Sequence, residues 1–211
     1  MADQLHEIYH HLHKYFGPQS WWPGDTPLEI MVGAVLTQNT NWLNVEKAIT
    51  NLKTAGLLSL SALSEIPVDV LAWQIKPSGY YNLKAKRLKN LVLAIGRTDD
   101  DLESFFAHDL YSLRENLLNV KGIGPETADS IILYAAEKPI FVVDAYTHRI
   151  LMRHELIWEE SDYHEMQEMF MSSIPEDVAL YNEYHALLVR LGKEFCLKSK
   201  PKCDGCPLEG L

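Results

Sequence analysis

Apolar residues return every three or four positions through most of the chain, as in LHEIYHHLHKYF, PLEIMVGAVLTQ, WLNVEKAITNL, KAKRLKNLVLAIG, TADSIILYAA and ALYNEYHALLVRLGKEF. That period puts one apolar stripe on each helix. Strand-like alternation is rare, and IFVV at 140–143 is too short to build a sheet. The pattern predicts an all-α protein of about ten short helices. Their boundaries are marked by Pro23, Pro27, Pro67, the Lys76-Pro77-Ser78-Gly79 turn, Gly122, Gly124 and Pro139. No repeat or low-complexity linker interrupts them.

At 211 residues and 47% apolar content the chain can bury one sizeable core or two small ones. It has no run of eighteen apolar residues. Its first residues, MADQLHEIYHHLHKYF, carry acids and histidines where a signal peptide would have a basic start and an apolar centre. The expectation is a soluble, cytoplasmic protein without membrane association. Nineteen basic against 29 acidic side chains give a formal charge of −10, which argues against indiscriminate coating of nucleic acid. A local basic face remains open. Lys84, Lys86, Arg87, Lys89 and Lys121 form one candidate group and Lys193, Lys198, Lys200 and Lys202 another, although either also reads as a solvated helix face. Cys196, Cys203 and Cys206 stand close together, which in a reducing compartment suggests a metal or cluster site before a disulfide.

The stretch LNVKGIGPETADSIILYAA concentrates the chemistry. A helix ending near Leu118 is followed by the tight turn Lys121-Gly122-Ile123-Gly124, and a second helix starts at Pro125. The two glycines are expected to take positive φ and let the backbone approach a ligand closely, so the free amides at this turn can cradle a phosphate, directly or through a monovalent cation. An ordinary helix connection is the alternative. Pro139 closes the second helix, the apolar strip IFVV follows, and Asp144 opens AYTHRIL. By itself Asp144 could simply cap that helix.

The hairpin, its spacing to VVDAY, the segment GAVLTQNTNWLNVEKAI, the segment PSGYYNLKAKRLKNL and the pattern Cys196-x6-Cys203-x2-Cys206 together resemble the helix-hairpin-helix DNA glycosylases of the endonuclease III type. The likeness runs across most of the chain. It implies a six-helix barrel at 21–138 carrying the hairpin at about 112–136, and a second helical domain from 1–20 with 139–211 that ends in an iron-sulfur loop. It also implies a monomer that grips damaged double-stranded DNA between the two domains. In the family the aspartate matching Asp144 is the essential carboxylate, which stabilises an oxocarbenium-like sugar and activates water. The base must first be flipped out of the duplex. By resemblance Gln38, with Asn39 beside it, fills the gap, Tyr80 wedges the opposite strand, and Lys121, Gly122, Ile123 and Gly124 hold the backbone.

Family members that also cut the backbone carry a lysine where this chain has Glu126, and a glutamate cannot form the Schiff base. The resemblance thus implies a glycosylase without lyase activity. Within the group the chain looks closest to the 3-methyladenine branch, in which a Trp-Pro pair stacks on the flipped base. That pair maps onto Trp22 and Pro23, with Trp42 or Trp21 as supporting wall, or all of these are hydrophobic staple packing. An indole face favours a cationic alkylated purine. A uracil or mismatched-thymine glycosylase is the alternative, with Tyr134, Asn39, Thr40 and Glu126 reading a pyrimidine edge. A non-catalytic binder of damaged DNA is the second alternative. The three cysteines match the first three ligands of the family's [4Fe-4S] loop, whose fourth would fall at position 212, one past Leu211. A zinc site completed by histidine is the other reading.

Overall fold

A computed structural model describes residues 2–21, 24–98 and 101–211. Among these residues are twelve α-helices, one 3₁₀ turn and no strand. The all-α expectation holds, with more helices than anticipated. The additional ones, such as Leu60–Glu65 and Val68–Gln74, have at most two turns, too few for a helical period to register.

The chain forms two compact units, Met1–Trp21 with Pro139–Leu211, and Trp22–Lys138. The helices in order are α1 (Ala2–Phe16), α2 (Pro27–Leu36), α3 (Trp42–Thr54), α4 (Leu60–Glu65), α5 (Val68–Gln74), α6 (Tyr81–Thr98), α7 (Leu102–Ala107), α8 (Leu110–Leu118) and α9 (Pro125–Tyr134). They continue with α10 (Ala145–Arg153), α11 (Tyr163–Ser173) and α12 (Val178–Glu194).

In the unit Trp22–Lys138, α2 is the central rod. Thr26 caps it by accepting from the Glu29 amide at 3.2 Å, Pro27 occupies its first turn, and residues on every side of it are buried against α3, α6 and α9. Its one buried acid, Glu29, lies 2.8 Å from the Lys53 ammonium. The two helices flanking the glycine turn, α8 and α9, are tied by Arg114, whose Nε and Nη2 donate to the two oxygens of fully buried Asp129 at 2.7 and 3.1 Å. Helix α9 stops at Tyr134, not at Pro139 as the sequence suggests. The chain turns out of the helix before Pro139, with Glu137 in the left-handed region at φ 51°.

In the other unit α12 packs on α1 and α10. Gly192 permits the second contact, because a Cβ there would come within 2.4 Å of the Tyr146 ring. Residues 140–143 form a fully buried connector with no regular structure. Its main chain is served by side chains, since Phe141 O accepts from Gln167 Nε2 at 2.7 Å. Phe141 stacks on Phe170 at 3.9 Å and meets Tyr181 and Tyr184 edge-on. Among the described residues no helix is long and apolar enough to cross a membrane.

Breaking the Arg114–Asp129 pair leaves a carboxylate buried without its cation. Arg114→Ala should therefore lower unfolding stability by about 3 kcal/mol, read from denaturant midpoints.

Candidate active site

Asp144 is the N-cap of α10, where the buried strip emerges. Its Oδ1 accepts from the Thr147 amide at 2.8 Å and the Thr147 hydroxyl at 3.0 Å. Its Oδ2 faces His185 Nε2 at 3.6 Å, an ion pair whenever the imidazole is protonated. The cap is observed, and it occupies a single oxygen, so it is compatible with either reading of this aspartate. One oxygen fixes the rotamer by capping, which leaves the other for chemistry. Burial pushes the carboxyl upward, but His185 and the Thr147 donors outweigh it and hold the group below the usual carboxylate range. His185 is itself only 5% exposed, on the face of α12 that also carries the Gly192 contact layer.

Lys193, the penultimate residue of α12, sits with its ammonium 5.4 Å from the Trp21 ring. Burial lowers its pKa, and attraction to Asp144 opposes that shift. Sequence reasoning grouped Lys193 with Lys198, Lys200 and Lys202 as a candidate basic face, and it is exposed as they are; it did not single out His185 or Thr147. The one available signal was a histidine on an otherwise apolar helix stretch, HALLVRL.

The glycine turn lies in the other unit. Gly122 adopts φ +101°, and a Cβ there would fall 2.5 Å from Arg87 Cγ, so glycine is required twice over. Gly124 differs from expectation. It is extended, at φ −99° and ψ 177°, and caps α9 with open space where a Cβ would stand. Ile123 is the buried foot of the turn, Lys121 is exposed, and the first-turn amides of α9 have no partner inside the helix. Exposed Glu126 occupies that first turn. Such an end attracts anions.

Gln38 is half-buried against this turn. Its Nε2 donates to Thr127 Oγ1 at 2.8 Å and to Gly122 O at 3.4 Å, and Arg87 Nη1 donates to its Oε1. Asn39 is exposed with φ 54°, and Tyr80 is 70% exposed with φ 45°. Trp42 is half-buried, packs its ring near Gly33 and donates to Glu46 at 2.9 Å. Trp22 and Pro23 lie outside the described residues.

The supposed basic face around 84–89 is mostly not a face. Lys84 is buried, Lys89 donates to Ser64 O at 2.8 Å, and Arg87 is committed to Gln38, which leaves Lys86 and Lys121 exposed. Lys198, Lys200 and Lys202 do remain exposed.

Around the cysteines, Arg153 donates to Cys196 Sγ at 3.2 Å and Leu197 O at 2.8 Å, while Arg149 donates to Cys196 O at 2.7 Å. Burial raises the Cys206 thiol, and the neighbouring Cys196 and Cys203 raise it further, so the three sulfurs share one neighbourhood. Among the described residues no three His, Cys, Asp or Glu side chains gather round a single-ion position. A cluster places each thiolate on its own iron, and Cys196, Cys203 and Cys206 are three donors of the type it takes.

Comparison with known proteins matches residues 32–176 to the family model described as HhH-GPD superfamily base excision DNA repair protein. The chain is 46% identical over 211 residues to a provisionally named DNA repair glycosylase of Methanocaldococcus jannaschii, covering 98% of this chain and 94% of that one. It is 29% identical over 189 residues to endonuclease III of Thermotoga maritima, covering 87% and 81%. Among solved structures, the 3-methyladenine DNA glycosylase of H. pylori bound to 1,N6-ethenoadenine shares 33% identity, with a TM-score of 0.76 and coverage of 92% and 95%. A trapped endonuclease III–DNA covalent intermediate has the same fold at a TM-score of 0.84 and 20% identity, covering 99% and 93%.

Because the folded Asp144 carboxyl titrates below its unfolded value, its stabilisation is present above about pH 4 and is lost as pH falls through the folded value. Asparagine caps a helix as well as aspartate. Asp144→Asn should therefore fold, lie below wild type in stability at neutral pH, and converge with it on acidification in denaturant titrations.

Proposed function

The chain belongs to the HhH-GPD superfamily of base excision DNA repair proteins, and on that premise we propose that it is a DNA glycosylase that hydrolyses the N-glycosidic bond of alkylated purines and leaves the backbone uncut. The observation that carries the reading is the Asp144 carboxylate, kept ionised in a nearly dry site with one oxygen immobilised and the other presented.

Damaged double-stranded DNA is the partner. The glycine turn and the N-terminus of α9 hold a phosphate of the bent strand through backbone amides, Lys121 adds a charge, and a monovalent cation can bridge the two. The nucleotide is flipped out, with Gln38 and Asn39 filling the gap and Tyr80 wedging the facing strand. As the bond from C1′ to the base lengthens, its electron pair leaves with the purine and positive charge grows on the sugar. Asp144 stabilises that charge through Oδ2 and orients the water that adds to C1′. An alkylated purine already carries positive charge and becomes neutral on leaving, so little further activation is required.

Three observations favour an alkylated purine over uracil or mismatched thymine. The H. pylori relative at 33% identity is a 3-methyladenine glycosylase. The sequence carries the Trp22-Pro23 pair that resembles the base-stacking pair of the 3-methyladenine branch, and an indole face favours a cationic purine. Tyr134, a candidate reader of pyrimidine edges, is buried at 5% exposure and lies at the opposite end of α9 from Glu126. Glu126, where an amine would be needed, supports strand-preserving hydrolysis. Cys196, Cys203 and Cys206 would hold a [4Fe-4S] cluster that orders the loop bearing Lys198, Lys200 and Lys202 against DNA.

Duplexes carrying methylated purines, uracil, thymine opposite guanine or oxidised pyrimidines distinguish the readings. The expected result is release of methylated purine alone, with strand breaks only after alkali and no borohydride-trapped adduct. Release of uracil or thymine instead would transfer the function to the pyrimidine class. Asp144→Asn should lose release by roughly a thousandfold while keeping DNA affinity, whereas an indifferent variant would mark a binder. Anaerobically purified protein should be brown and contain iron and sulfide; colourless, iron-free protein would remove the cluster.

A further inference from the structure

Lys84 is a buried cation that the chemistry above does not use. It lies in the first turn of α6 at 1% exposure, and its ammonium donates to Leu36 O at 2.8 Å and Ser78 O at 2.6 Å. These carbonyls belong to distant parts of the chain. Leu36 is the last residue of α2, two positions before Gln38, and Ser78 ends the 3₁₀ turn Lys76–Ser78, two positions before Tyr80.

Each segment holds a residue with positive φ just beyond the grip, a conformation that asparagine tolerates and that strains tyrosine. Asn39 at φ 54° and Tyr80 at φ 45° occupy the left-handed region, which is unfavourable for a bulky aromatic. Strain of about 1–3 kcal/mol per residue persists only where the surroundings over-determine it. The neighbours of Lys84 on α6 continue the pattern. Arg87 orients Gln38, and Asn90 donates to Lys121 O at 2.9 Å in the glycine turn. One helix thus addresses three segments through residues three apart.

We propose that Lys84 is a positioning residue, which clamps the 36–39 and 78–80 segments to each other so that Gln38 and Tyr80 enter DNA as one rigid pair of wedges. The proposal rests on the glycosylase reading for the meaning of the wedges, and on geometry alone for the clamp. Burial, with the nearby Arg87 charge, lowers the lysine to about 8. A neutral amine keeps two N–H donors, which match the two carbonyls, so the grip survives loss of the charge.

A misplaced wedge should matter only when the base must be forced out of a stack. Lys84→Met, of similar length but without donors, is compared with wild type in single-turnover release of the substrate base. One duplex is fully paired and the other has the damaged base opposite a missing nucleotide. The expected result is a loss of roughly a hundredfold on the paired duplex and little change on the gapped one. Lys89→Met, which removes a grip on Ser64 O outside both segments, should leave that ratio unchanged. Equal losses on both duplexes, or none on either, would overturn the clamp.

Hydrogen exchange of wild-type protein decides the matter even if Lys84→Met does not fold. The amides of 37–40 and 78–80 should open together, with matched protection and matched denaturant dependence. Protection differing by more than about tenfold would overturn the proposal. Failure of wild type to release any base would instead overturn the glycosylase reading, while the exchange result stands by itself.

Discussion

A carboxylate that must remain charged while nearly shut away from water is the constraint around which the unit made by the two chain ends is arranged. Desolvation works against the charge, so donors have to be supplied at fixed positions. Thr147 is supplied by the helix that Asp144 itself begins, and His185 by α12. The close approach of α10 to α12 is therefore a condition on keeping that carboxylate charged. It accounts for Gly192, where a larger residue would strike Tyr146. The buried strip 140–143 serves the same end by leading the chain to Asp144 through an apolar interior, with Gln167 satisfying a main-chain carbonyl that no helix reaches.

The unit Trp22–Lys138 answers a different demand. Its task is to hold several short, irregular segments in conformations that they would not keep alone. Tyr80 in the left-handed region and the open first turn of α9 cost free energy in isolation, while Gly122 and Asn39 have to be held to one of several accessible conformations. The compensating bonds run from side chains to main chain: from α6, Lys84 to Leu36 and Ser78 and Asn90 to Lys121, and from the turn after α2, Gln38 to Gly122. Rigid helices thereby dictate the course of the loops.

Much of this was legible in the sequence, for identifiable reasons. The glycine turn and Asp144 stand in local patterns, so their elements emerge from short-range rules, and the helical period exposes α2, α6 and α12. What escaped depends on which face of a helix the tertiary structure covers. LKAKRLKN reads as a solvated basic run, yet folding buries Lys84 and spends Arg87 on Gln38. His185 is far along the chain from Asp144, and nothing local announces their pairing. The Arg114–Asp129 bond was equally hidden, because each charge sits at a position that would look solvent-facing on its own helix. The expected positive φ at Gly124 failed because glycine there leaves room beside a helix cap, with no unusual torsion involved.

Lys84 grips carbonyl oxygens, and every residue type offers the same carbonyl. The identity of the side chains at 36 and 78, and more importantly at 38 and 80, is therefore invisible to it. A substitution at Tyr80 leaves that grip intact, whereas one at Gln38 gives up the side-chain bonds to Gly122 O and Thr127 and the donation from Arg87. A grip on main chain thus separates the mechanics of presenting residue 80 from the identity of the side chain presented.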